Sequence, residues 1–133
     1  MFAKTDKMDT IFEFKIKVKS KDIDDLNHVN NVVYVQWMDE VAYIAATRFS
    51  RKTMVTISTE QVDFKHPIPS GILVELIARV VHVGRTSLKV EVSIFLEQLD
   101  SDKRTKAVTG HFNFVAVDSN KKPTPIFDKE TSA

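Results

Sequence analysis

Residues 32–48 read VVYVQWMDEVAYIAATR, and their apolar side chains recur at intervals of three and four. That spacing predicts a helix, which Asn30 or Asn31 can cap at its start. Apolar residues also occur around the rest of its circumference, so most of the helix should be buried. The polar exceptions form a narrow stripe: Gln36, Asp39, Glu40, Tyr43 and Thr47.

Segments on both sides of this helix have strand character. Residues 12–19 (FEFKIKVK) alternate strictly between apolar and charged side chains, which predicts a strand with one wet face. Four further strands are predicted after the helix, at residues 53–65, 71–84, 86–97 and 105–117. Their consecutive hairpins favour antiparallel pairing, so the fold class is α+β, with a sheet of about five strands and one long helix.

Details of these segments carry further expectations. The apolar phase changes within 53–65, which predicts a β-bulge near residues 58–61. Residues 71–84 are apolar on both parities, so both faces of that strand should be covered, in part by another subunit. The basic run at 103–106 (KRTK) is interpreted as a solvated hairpin, with binding of a polyanionic ligand as the alternative. The polar tail, 118–133, is expected to be a loop or frayed.

Composition narrows the class of protein. The 133 residues are 43% hydrophobic and 28% charged, which predicts a single domain over residues 1–133. With 19 Lys and Arg against 18 Asp and Glu, no basic excess favours a nucleic-acid partner. The absence of Cys excludes disulfides and Cys-bound zinc, and the histidines lack metal-binding spacing, so no metal is expected. A charged N-terminal segment and short apolar runs indicate a cytoplasmic protein without a membrane span.

The densest polar cluster, residues 22–31 (DIDDLNHVNN), immediately precedes the apolar helix. A helix start presents unpaired backbone N–H groups and the positive end of its dipole, which can stabilise an oxyanion. Carboxylates and an imidazole beside that end could hydrolyse an activated carbonyl. The alternative is that these Asp and Asn residues serve only as turn and cap residues.

Residues 22–40 resemble the signature of hotdog-fold thioesterases, in particular the 4-hydroxybenzoyl-CoA thioesterase type and the plant acyl-carrier-protein thioesterases. Strand, helix and four strands is also the hotdog order, in which the sheet wraps around the helix. The second half of the chain is similar to acyl-CoA hydrolases in Val62-Asp63-Phe64 and in Val83-Gly84-Arg85-Thr86-Ser87. The resemblance implies an acyl-CoA thioesterase that needs no cofactor.

The resemblance also implies roles for individual residues. Asp24 would be the catalytic carboxylate, as nucleophile or as general base, and Asp22 is the alternative. The backbone N–H of Asn31 would polarise the thioester carbonyl, and His28 would orient groups or relay protons. The other predicted site residues would bind substrate or line its pocket: Tyr34, Asp63, Phe64, Arg85, Thr86 and Ser87.

Two departures from the carrier-protein enzymes favour a CoA ester: Leu26 replaces their Asn, and no carboxylate follows near residues 65–67. A non-catalytic acyl-CoA-binding module and a carrier-protein thioesterase remain as alternatives. A single hotdog unit would leave a long sheet edge exposed, and relatives cover that edge by pairing. The expected assembly is therefore a homodimer with its active site at the interface, possibly arranged as a dimer of dimers.

Overall fold

The predicted fold class is confirmed by a computed structural model, which describes residues 12–19, 31–69, 71–97 and 103–127. One helix packs against a five-stranded antiparallel sheet with strand order β1-β3-β4-β5-β2. The elements are β1 (Phe12–Lys19), α1 (Asn31–Ser50), β2 (Thr53–Phe64), β3 (Leu73–Val83), β4 (Ser87–Glu97) and β5 (Arg104–Val117).

Helix α1 lies across the inner face of the sheet and contacts all five strands. It begins one residue earlier and ends two residues later than the sequence predicted, and Arg51, at φ 58°, terminates it in the left-handed region. The predicted polar stripe faces outward at Gln36, Glu40 and Tyr43. The opposite face is buried in the core and consists of Tyr34, Met38, Val41, Ala42, Ala45 and Ala46.

Gly110, in the middle of β5, is a point of close packing between helix and sheet. A Cβ atom at this position would lie 3.1 Å from Met38 Cε and 3.1 Å from Val62 Cγ2. Those distances are shorter than comfortable carbon–carbon contacts. The missing side chain therefore leaves the space that Met38 of the helix and Val62 of β2 occupy.

Strand β2 forms one edge of the sheet and carries the irregularity that the sequence predicted. Its register with β5 shifts between Thr56 and Ser58 and again between Glu60 and Asp63, and Gln61 has a positive φ of 35°. The predicted bulge near 58–61 is confirmed. The strand is largely exposed: Val55 is 45% and Ile57 is 58% exposed.

Strand β3 is covered on both faces over residues 74–78, as predicted. One of its buried residues is charged: Glu75, 7% exposed, forms an ion pair with the guanidinium of Arg104. The same guanidinium lies 4.5 Å from the centre of the Phe95 ring. Residues 103–106 are all exposed, as the solvated interpretation predicts. Arg104 in addition neutralises a carboxylate on a strand two positions away in the sheet.

The first ten residues of the polar tail, 118–127, form a loop with specific contacts. Val117 forms an antiparallel bridge with Pro123, and Thr124 N donates to Ala116 O at 2.8 Å. Ile126 is 2% exposed, so this segment contributes to the core. The prediction of a loop is confirmed for residues 118–127, which form turns and a single bridge, and one apolar side chain anchors this otherwise polar loop.

The Glu75–Arg104 ion pair makes a stability prediction. We expect Arg104→Ala to lower the free energy of unfolding by about 1–3 kcal/mol, because it leaves a buried carboxylate without its counter-charge. Lys106→Ala is the matched control, since the Lys106 ammonium also lies over the Phe95 ring, at 5.7 Å, but forms no ion pair with Glu75. Urea denaturation measures both variants, and equal losses would contradict the assignment.

Candidate active site

The N-terminal end of α1 defines one end of the molecule. The Tyr34 hydroxyl, in the first turn of the helix, donates a hydrogen bond to the carbonyl oxygen of Ile68 at 3.4 Å. Ile68 lies between the end of β2 and the start of β3, and Lys19, the last residue of β1, pairs with Leu73 at that same start. The helix therefore begins beside the end of β1 and the start of β3.

Asn31 is the first residue of α1, and the first turn of the helix contains no acidic residue. Its position suits the predicted polarisation of a carbonyl, because the first amides of a helix have no partner within the helix. The predicted catalytic residues Asp24 and His28, together with the alternative Asp22, lie outside the described residues. Their roles stay predictions.

Tyr34 is a core residue in the isolated chain. Its side chain is 1% exposed, and its ring packs edge-on against Trp37 with centroids 5.7 Å apart. A fully buried ring could contact substrate only as the inner wall of a pocket. The predicted role of Tyr34 in lining the substrate pocket therefore stays a prediction.

Asp63 and Phe64 lie at the end of the edge strand β2, and both are exposed. Asp63 borders an open cleft of about 550 Å³ on the face of the sheet away from the helix. The cleft combines two lysines with one carboxylate and one imidazole, and it is lined by Gln61, Val62, Asp63, Lys65, Lys106, Thr109 and His111.

Arg85, Thr86 and Ser87 form the hairpin between β3 and β4, at the opposite end of the sheet. Ser87 pairs with Val115 of β5, and Asp63 pairs with Thr109 of the same strand. Ser87 and Asp63 are therefore six strand positions apart along β5. That separation is roughly 20 Å at the usual rise of a strand. The C-terminal end of α1 lies near the hairpin. Phe49 of α1 packs on Phe127 with ring centroids 6.0 Å apart, and the adjacent Ile126 N donates a hydrogen bond to the Arg85 carbonyl oxygen. One chain alone does not bring the two groups of predicted site residues together.

The outer face of the sheet carries a row of titratable side chains that sequence reasoning missed. Arg79, Glu91, His111 and Glu60 are consecutive cross-strand partners on β3, β4, β5 and β2. The His111 Nε2 atom lies 3.3 Å from a Glu91 oxygen, and Arg79 lies 3.8 Å from the other oxygen. Strand parity alone places such residues on one face, but pairing register decides which ones meet.

Glu60 ends this row and is held in its charged form. Hydrogen bonds from Asn113, at 2.8 Å, and from the Lys89 ammonium, at 3.3 Å, lower the pKa of its carboxyl, with Asn113 the larger cause. The charge of Lys89 adds to that effect.

One further carboxylate stands out on α1. Asp39 is half-buried although the sequence placed it in the outward polar stripe.

The described residues contain no group of three or more His, Asp or Glu side chains that could hold a metal ion. No helix within that part of the chain has the length and apolar character that crossing a membrane requires.

A family model described as the thioesterase superfamily matches residues 26–102, which is more than half of the chain. The chain belongs to the thioesterase superfamily. The matched range contains α1, β2, β3 and β4, together with the Asn31 helix start and the Arg85 hairpin. Superfamily membership thus agrees with the resemblance found in residues 22–40 and 83–87.

Individual members of the superfamily extend the match. The uncharacterized acyl-CoA thioester hydrolase YkhA of Bacillus subtilis is 39% identical over 92 residues, covering 69% of this chain. Those residues are 54% of YkhA, so the chain spans about half the length of that curated relative. An acyl-CoA hydrolase from Staphylococcus aureus, solved with butyryl-CoA and CoA, superposes with TM-score 0.83 and 27% identity over 85% of this chain and 70% of its own. A hexameric acyl-CoA thioesterase superposes with TM-score 0.81 and 30% identity over 85% and 74%.

The row of titratable side chains on the outer face makes a titration prediction. Asn113→Ala should raise the pKa of Glu60 toward its ordinary value, because it removes the larger of the two hydrogen bonds that favour the carboxylate. Since the folded-state pKa is depressed, the associated stability is present above the unfolded pKa and is lost as pH falls through the folded one. Carboxyl carbon NMR titration of Glu60 measures the change.

Ser58→Ala is the matched control for that titration. The Ser58 hydroxyl oxygen accepts a hydrogen bond from Asn113 at 2.9 Å. Because Ser58 is not among the groups that hold the Glu60 carboxylate, its loss should leave the pKa of Glu60 close to that in the parent chain. An unchanged Glu60 pKa in Asn113→Ala would contradict the assignment.

Proposed function

We propose that this chain is an acyl-CoA thioesterase, which hydrolyses a CoA thioester to the free acid and CoA. The observation that carries the proposal is the start of α1: a long buried helix whose first turn, from Asn31, holds no acidic side chain. Such a helix end presents N–H groups and positive potential to a developing oxyanion. Superfamily membership and the acyl-CoA hydrolases among the relatives support the choice of a thioester.

In the proposed reaction, Asp24 acts as the catalytic carboxylate. As general base it would accept a proton from water while the water oxygen attacks the thioester carbonyl. The tetrahedral oxyanion would accept a hydrogen bond from the Asn31 N–H, and the C–S bond would then break. The CoA thiolate would leave and take up the proton, with His28 orienting groups or relaying it. As nucleophile, the Asp24 carboxylate would instead attack the carbonyl carbon, the C–S bond would break with release of the CoA thiolate, and water would then hydrolyse the resulting mixed anhydride to the free acid and the Asp24 carboxylate.

The proposed substrate site needs two chains. Within one chain, the helix start and the Arg85 hairpin lie at opposite ends of α1, whose 20 residues span about 30 Å. An isologous pairing of β2 edges would run the two strands antiparallel and place the Phe64 end of one beside the Thr53 end of its partner. Thr53 pairs with Val117, close to the hairpin, so the partner would supply Arg85, Thr86 and Ser87.

Exposed apolar side chains on β2 favour such a homodimer. Val55 and Ile57 lie on an edge strand that leaves backbone N–H and C=O groups unpaired by another strand of this sheet. Burial of this edge against a second copy would satisfy those groups and cover the apolar side chains. The hexameric structural relative is in line with assembly beyond a dimer, and the dimer of dimers expected from the sequence stays a prediction. A cytoplasmic location stays a prediction.

Turnover of a panel of medium-chain, long-chain and aromatic acyl-CoAs tests the activity by thiol release. We expect Asp24→Ala to reduce kcat at least about 100-fold, the scale on which a general base contributes. His28→Ala should cause a smaller loss. Asp22→Ala should stay close to the unsubstituted enzyme, as should the control Asp25→Ala, a neighbouring acid with no proposed role.

Three outcomes would contradict this proposal. Retained turnover in Asp24→Ala with loss in Asp22→Ala or in Asp39→Ala would move the catalytic carboxylate to another residue. Binding of acyl-CoA without turnover, unchanged in Asp24→Ala, would make the chain a non-catalytic binding module. Turnover of acyl-carrier-protein thioesters but not of acyl-CoAs would identify the carrier-protein alternative.

Subunit mixing tests the two-chain site. An Asp24→Ala chain and an Arg85→Ala chain would each form a dimer with two defective sites, but a mixed dimer contains one site with both substitutions and one with neither. Random mixing should therefore restore about a quarter of the unsubstituted activity at low substrate concentration. Activity no higher than the average of the two separate variants would show that each site is built from a single chain.

A further inference from the structure

The segment after β5 folds back as a compact turn. Asp118 N donates to Lys122 O at 2.8 Å, and Lys121 N donates to Asp118 O at 2.9 Å. The carboxylate oxygen Oδ1 of Asp118 also accepts hydrogen bonds from Asn120 N at 2.8 Å and Lys122 N at 3.0 Å. With Lys121 at φ 62°, the chain reverses and returns along β5. We call residues 118–127 the return segment.

The return segment ends on the β3–β4 hairpin. Ile126 N donates to the carbonyl oxygen of Arg85 at 2.9 Å, and the Ile126 side chain is buried. The following residue, Phe127, points outward and touches the end of α1 through Phe49. A single residue therefore combines an apolar anchor in the core with a backbone bond to the hairpin.

Three different parts of the chain hold the hairpin backbone. The Ser87 carbonyl accepts from Gly84 N at 2.8 Å, within the hairpin itself. The Thr86 carbonyl accepts from Ala116 N of β5 at 2.8 Å, and the Arg85 carbonyl accepts from Ile126 of the return segment. The Arg85 side chain is exposed, and no described residue forms an ion pair with its guanidinium. The hairpin thus has a fixed backbone and an available cation.

We propose that Ile126 is a positioning residue that holds the Arg85 hairpin in the geometry needed to bind the phosphate groups of CoA. The proposal rests on the proposed function, in which Arg85 belongs to the substrate site, and adds that its exposed guanidinium contacts the phosphate groups at the nucleotide end of CoA. A guanidinium binds phosphate through two parallel N–H···O hydrogen bonds of fixed direction. The strength of this binding therefore depends on the position of the arginine backbone. Small misplacement of such a group is enough to weaken binding strongly.

If Ile126 has this role, its substitution should weaken the binding only of ligands that carry the nucleotide of CoA. Ile126→Ala keeps the N–H group but loses the anchor, so the Kd for CoA should rise about tenfold, equivalent to about 1.4 kcal/mol. The KM for the best acyl-CoA should rise similarly with kcat within about twofold of the parent, because the reacting end of the substrate is untouched. The corresponding acyl-N-acetylcysteamine thioester, which has no phosphate, should be hydrolysed as before.

Asp118 supplies a second, exposed position at which to loosen the same segment. Asp118→Ala removes the acceptor that closes the turn, and we expect the Kd for CoA to rise about threefold, in the same direction as Ile126→Ala. Asp118→Asn keeps an acceptor oxygen and should bind CoA like the parent chain. Phe127→Ala is the matched control, since Phe127 belongs to the same segment but is exposed, and its ring packs on Phe49 at the end of α1.

Arg85→Ala completes the test as a double-mutant cycle. If Ile126 acts through Arg85, adding Ile126→Ala to Arg85→Ala should change the Kd for CoA less than about twofold. Full additivity, equal losses for the thioester without phosphate, or unchanged CoA binding in both Ile126→Ala and Asp118→Ala would each overturn the proposal. Calorimetric CoA binding needs no turnover, so an absence of hydrolysis would count against the proposed function alone.

Discussion

The packing of α1 across the inner face of the sheet is the interaction on which the rest of the arrangement depends. At Gly110 of β5, the absence of a side chain leaves the space that Met38 of the helix and Val62 of β2 occupy. The axis of the helix then runs from the Ile68 end of the molecule to the Phe127 end. Its buried face supplies the apolar area that stabilises a single sheet with few other covering elements.

That axis separates the two chemical functions proposed for this protein. The helix start that can stabilise an oxyanion lies at one end, and the hairpin that can bind phosphate lies at the other. A second copy paired along β2 would bring unlike ends together, which relates the exposed Val55 and Ile57 to the chemistry as well as to assembly. In the proposed dimer, the β2 edge joins the two chains and the return segment positions the hairpin, so both serve the same substrate site.

Much of the fold could be predicted from local patterns. Alternation in residues 12–19, the helical spacing of 32–48 and the phase change in 53–65 each report a nearby geometry, and each element is present. Local patterns could not give contacts between residues that are distant in the sequence. The ion pair of the exposed Arg104 with Glu75 joins residues 29 positions apart, and the anchoring of the return segment depends on Ile126, its one deeply buried side chain.

The sequence by itself determined the elements, their order, the superfamily resemblance and the residue types available for thioester chemistry. These are readable because helix and strand periods, turn residues and motif spacing are properties of neighbouring residues. Only the tertiary structure decided that Asp63 and Ser87 stand six positions apart on β5, that Glu60 meets Asn113, and that Ile126 holds the Arg85 hairpin. Pairing register and burial decide such contacts, and both arise only when distant segments pack together.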